Sequence, residues 1–100
     1  MDKKMIKQAQ QLQAKLAKAQ EDLGKTTIEV SSGGGAVTIV ITGQQDIQSI
    51  KISPEVIDPD DVEMLEDMIL AALNEAMEKS KEMAAKQLGS LTGGLKMPGF

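Results

Sequence analysis

Residues 26–53 read TTIEVSSGGGAVTIVITGQQDIQSIKIS, and this stretch decides the fold. It contains three runs of β-branched residues in alternation: TIEV, AVTIVIT and IQSIKIS. Ile28 and Val30, then Val37, Ile39 and Ile41, then Ile50 and Ile52, fall on the presumed inner faces. Gly33, Gly34 and Gly35 join the first pair of runs and GQQD, residues 43–46, joins the second. Hairpins and a three-stranded antiparallel meander follow. SSGGGAVT is not a phosphate loop, because such a loop opens a helix and supplies a lysine, whereas this one leads into a strand and has none.

On either side the pattern turns helical. Upstream, Met5, Ala9, Leu12, Leu16, Ala19 and Leu23 recur at alternating spacings of four and three on a background of Ala, Gln, Lys and Leu, and Gly24 is the expected stop. Downstream, DPDDVEMLEDMILAALNEAMEKSKEMAAKQL predicts a second helix with Asp58 as N-cap and Pro59 at its first position, ending at Leu88 before Gly89. Val62, Leu65, Ile69, Leu73 and Ala76 form its stripe. Asp58, Asp60 and Asp61 lack the glycine and terminal glutamate of a calcium loop, so capping accounts for them. The expected fold is α+β, in the order α-β-β-β-α, with residues 1–88 as one domain and residues 89–100 as a Gly/Pro-containing tail.

Composition narrows the chemistry. The 100 residues are enough for one domain with a modest core. With no cysteine and no histidine, disulfides, the usual zinc sites and imidazole or thiolate catalysis are excluded. No catalytic residue, metal site, cofactor or small-molecule substrate is expected. The longest apolar run, MILAAL, is far short of the ~20 residues of a membrane span, so no membrane partner and a soluble, cytoplasmic protein are expected.

Charge is segregated. The net charge is -4, yet residues 3–20 hold five lysines and no acid, while residues 54–78 hold nine acids and no lysine. A basic patch acts locally, within a Debye length of ~8 Å, even on an acidic protein. In a meander the first helix arrives at one end of the sheet, and the second must turn back across it. About 25 Å of a ~45 Å second helix should then overhang, antiparallel to the first. That topology predicts a projecting prong whose tip gathers Lys3, Lys4 and Lys7 with Lys79, Lys81 and Lys86. Together with Lys15 and Lys18, these are the candidate DNA-binding residues. Lysine neutralises phosphate without reading sequence, the chain has no arginine to read guanine, and Phe100 is its one aromatic residue. Duplex DNA is therefore the expected partner rather than a stacked single strand. Gln8, Gln10, Gln11 and Gln13 are available to base edges or backbone. The alternative is a protein-interaction module in which Met64, Met68, Met77 and Met83 line an adaptable groove.

The pieces QAQQLQAKLAKAQEDLG, GGGAVT, DPDDVEMLEDMILAALNEA and LTGGLKMPGF, in this order and spacing over nearly the whole chain, resemble the YbaB/EbfC family of bacterial nucleoid-associated proteins. The resemblance implies a homodimer whose helices project like the arms of tweezers. It also implies duplex-DNA binding that alters DNA conformation, with consequences for nucleoid organisation and gene expression, and a location at the nucleoid. Independently, the width of the second helix's apolar face points to a second copy of the chain as its cover.

Overall fold

The computed structural model describes residues 2–91. A helix α1 (Lys3–Lys25) leads into strands β1 (Thr27–Ser32), β2 (Val37–Thr42) and β3 (Ile47–Ile52), and a helix α2 (Val62–Leu91) follows. The strands form an antiparallel sheet in the order β1-β2-β3. The expected α+β architecture is observed, and the molecule is long and narrow, 69 × 26 × 17 Å.

The β1–β2 connection shows why three glycines stand together. Gly33, Gly34 and Gly35 all have positive φ, at 62°, 68° and 93°, a path that side chains with a Cβ rarely take. A Cβ on Gly33 would also lie 2.5 Å from the Met68 sulfur. The neighbouring Ser32 hydroxyl donates to the Met68 carbonyl at 2.7 Å, fixing where α2 crosses this end of the sheet.

Ile39 lies opposite both Val30 and Ile50 in the ladders. Val30, Val37, Ile39 and Ile41 form the buried centre with Ala72 and Ala76 of α2. Ala72, Ala76 and Ser80, spaced four apart, are completely buried, so the closest approach of helix to sheet is made by small residues. Leu65, Met68, Ile69 and Leu73 pack around them. In β3 a bulge leaves Gln48 without a ladder partner and sets Ile47 opposite Ile41, which adds Ile47 to the apolar face of Ile50 and Ile52. α2 packs on β1 and β2 and barely reaches β3. Ile47 and Ile50 consequently remain 47% and 45% exposed.

Both ends of α2 differ from the sequence expectation by three residues. Asp58 does not cap the helix: its carboxylate accepts from Asp60 N at 2.9 Å, and its carbonyl accepts from Asp61 N at 3.0 Å. Asp followed by Pro satisfies a β-turn here. Asp61 is the cap, accepting from Met64 N at 3.2 Å. At the other end the helix passes through Gly89 to Leu91, beyond the Leu88 limit and the 89–100 tail boundary. One glycine costs a helix only about 1 kcal/mol and breaks it only when the next residues favour another path. The rest of the expected tail lies outside the described residues.

Gly24 likewise does not stop α1, which ends one residue later, where Thr26 turns its hydroxyl back onto the Asp22 carbonyl at 2.8 Å.

Candidate nucleic-acid interface

α1 is a helix for local reasons. The Asp2 carboxylate accepts from Lys4 N at 3.1 Å, and the following residues are strong helix formers. Its seam is buried only near the sheet. Leu23 is fully buried, Leu12, Leu16 and Ala19 are half-buried, and Met5 and Ala9 are exposed. About 30 Å of helix separates Leu23 from Lys3, so α1 is an arm held at one end.

All eight candidate lysines are exposed. At about 100° per residue, Lys4, Lys7, Lys15 and Lys18 fall within a sector roughly 80° wide, with Lys3 some 40° outside it, on the side away from the seam. Along the axis they cover about 22 Å, near two-thirds of a turn of B-DNA. Gln11 lies inside that sector and Gln8 beside it. The described residues contain two ion pairs, Lys25–Glu21 at 3.3 Å and Lys79–Glu75 at 3.7 Å, neither of which engages this ridge.

The expected gathering of Lys79, Lys81 and Lys86 with Lys3, Lys4 and Lys7 at one tip does not occur. Ser80 donates to the Thr42 carbonyl at 2.6 Å, so Lys79 and Lys81 flank the end of the sheet, at the base of the arm. Because α2 starts at Val62 and lies on the sheet as far as Ser80, residues 81–91 overhang by only about 16 Å rather than 25 Å. Lys79 and Lys86 line a groove of about 810 Å³ between α1, β1 and α2, facing Asp22, Glu29 and Glu82. Lys81, about 160° around the helix from Lys79 in the direction opposite to Ser80, leaves α2 elsewhere. The groove mixes signs, whereas the α1 ridge is uniformly basic.

The four methionines do not form one groove. Met83 borders the α1 groove, and Met64 and Met68 border a second one near Asp61, Glu63 and Asp67. Met77 belongs to neither. Ser80 is a residue that the sequence reading missed. Its one visible signal was a small side chain four residues after Ala76 and eight after Ala72.

The profile of the YbaB/EbfC DNA-binding family matches residues 1–95. The chain belongs to that family. A nucleoid-associated protein of Pelotomaculum thermopropionicum is 53% identical over 97 residues, covering 97% of this chain and 92% of its own length. A nucleoid-associated protein of Ruminiclostridium cellulolyticum is 56% identical over 91 residues, covering 91% of this chain and 79% of its own length. The crystal structure of an uncharacterized protein from Helicobacter pylori matches with a TM-score of 0.80 at 19% identity, over 93% of this chain and 99% of that one. That likeness concerns the fold alone. No helix among the described residues is long and apolar enough to cross a membrane.

Proposed function

We propose that this YbaB/EbfC chain is a nucleoid-associated protein that binds duplex DNA as a homodimer through its α1 arms and alters the conformation of the DNA. The observation that carries the reading is the α1 ridge: Lys3, Lys4, Lys7, Lys15 and Lys18, exposed along an overhanging helix with no acid in residues 3–20. Lys79 and Lys86, at the base of the same arm, add positive charge beside acids, and Lys81 adds it on another flank. Contacts of this kind hold phosphates and carry little sequence information.

The dimer rests on the uncovered side of the body. Lys79, Glu82 and Lys86 turn toward β1, where the groove lies. Leu70, Leu73 and Met77, roughly 60–120° the other way around α2 from Ala76, turn toward β3. Leu70 is 58% and Met77 37% exposed, beside the half-exposed Ile47 and Ile50. A second copy covers this patch in a two-fold arrangement, since a self-complementary apolar surface buries itself when paired about an axis. Two arms then reach one duplex, and joint engagement bends or clamps DNA more tightly than either arm does alone.

An electrophoretic shift with several duplex sequences at a series of salt concentrations tests the reading. Similar affinity across sequences is expected, with log K falling by about 0.9 per log unit of salt for each phosphate neutralised. A salt-independent shift, or tight binding to one sequence alone, refutes it.

A further inference from the structure

The β2–β3 turn, residues 42–46, holds α1 and α2 by separate bonds. Gly43 N donates to the Leu23 carbonyl at 2.9 Å and to the Thr26 carbonyl at 3.0 Å, and the Gln44 side-chain amide donates to the Gln20 carbonyl. Those bonds hold α1. On the α2 side the Ser80 hydroxyl donates to the Thr42 carbonyl at 2.6 Å and accepts from Gln45 N at 3.2 Å and Gln45 Nε2 at 3.1 Å. Its one proton and both lone pairs are thus used, inside a fully buried site. Gly43 touches both helices at once: a Cβ there would lie 2.6 Å from Leu23 Cδ2 and 3.0 Å from Met83 Cε.

We infer that this turn is the fulcrum that sets the direction of the arm against the sheet, and that Gln44, Gln45 and Ser80 are positioning residues for DNA binding. The inference rests on the reading of α1 as the DNA-binding arm. Gln45 adopts φ 63°, a left-handed conformation that glycine takes at less cost. What glycine lacks is the amide, which here bonds Ser80 and also the Gly43 carbonyl at 3.1 Å. The turn therefore keeps a strained backbone where a side chain ties it to α2.

Leverage makes this small site matter. Lys4 stands about 28 Å along α1 from Leu23, so a rotation of about 10° at the turn displaces it by about 5 Å. A hydrogen bond to phosphate does not survive a shift of that size. Two arms that must meet one duplex together amplify the loss, because joint binding contributes about 100-fold or more only when the spacing fits.

The chain has no cysteine, so spin labels at Gln10→Cys on α1 and Lys51→Cys on β3 are the only ones attached. Dilution with unlabelled copies confines the measured distances to one chain. In the parent the distance distribution should be narrow. Ser80→Ala, Gln45→Gly and Gln44→Ala should broaden or shift it while circular dichroism retains the helix and strand signals, and unlabelled variants should bind duplex DNA about tenfold more weakly, a part of the joint-binding gain. Gln44 is exposed, so its variant keeps the core intact should Ser80→Ala fail to fold. Unchanged distances in the folded variants overturn the fulcrum. Broadened distances with unchanged affinity overturn its role in DNA binding. Failure of the parent itself to bind duplex defeats the proposed function instead, and the distances still decide whether the turn holds the arm.

Discussion

α2 buries Ala72, Ala76 and Ser80 completely against the sheet, whereas α1, whose apolar spacing is just as regular, buries only Leu23. The spacing defines a face in both helices. What differs is the surface offered to that face: β1 and β2 run under much of α2, while α1 meets mainly α2, the end of β2 and the β2–β3 turn. Burial along α1 fades from Leu23 through the half-buried Ala19, Leu16 and Leu12 to Met5, which is 61% exposed. Charge follows the same division. The nine acids of residues 54–78 belong to the part of the chain that packs on the sheet and its lead-in, and the five lysines of residues 3–20 to the part that projects.

The hardest test of that division is one apolar truncation made in each part. Ile39→Ala, at the completely buried centre of the sheet, should cost about 2–5 kcal/mol in urea unfolding, and Met5→Ala should stay within about 0.5 kcal/mol. Comparable losses would mean that the arm is packed in solution.

Next in size is the uncovered side of the body. Leu70→Lys together with Ile50→Lys places charge on the proposed contact between two copies, where an unpaired buried charge would cost several kcal/mol, about 3 or more. Light scattering coupled to size exclusion should report a dimer for the parent and a monomer for the variant. Should the parent already be a monomer at micromolar concentration, the apolar side of β3 and α2 has some other cover.

The charge division predicts a position effect. Lys3→Glu, Lys4→Glu and Lys7→Glu together should weaken duplex binding at least about tenfold and reduce the salt slope by about 3, one per lost phosphate contact. Lys25→Glu with Lys51→Glu should change binding little: Lys25 lies beside Glu21 at the sheet end of α1, and Lys51 is on β3. Equal loss per charge at both places would reduce the ridge to a diffuse field.

The smallest effect separates two neighbouring aspartates. Asp61→Ala should remove about 1 kcal/mol by uncapping α2. Asp58→Ala, which disturbs an exposed turn, should cost less. The reverse order in thermal unfolding would restore Asp58 as the cap.

The sequence by itself determined the order of elements, the meander and the inward residues of β1 and β2, because period-two and heptad patterns are local and each run is bounded by its own turn chemistry. It also determined the cationic, acid-free character of residues 3–20 and the absence of cysteine, histidine and arginine. Tertiary structure decided what depends on how far one element extends over another. α2 lies on the sheet from Val62 to Ser80, about 28 Å rather than the ~20 Å of one strand, and this shortened the overhang and set Lys79 and Lys81 at the base of the arm instead of its tip. The exposed side of β3 arises because a single helix covers two strands and not three. Ser80 was the least legible residue, since a serine in a helix is ordinarily a wet one. Its role comes from Thr42 and Gln45, 38 and 35 residues away along the chain, and no local pattern records which distant carbonyl a hydroxyl will meet.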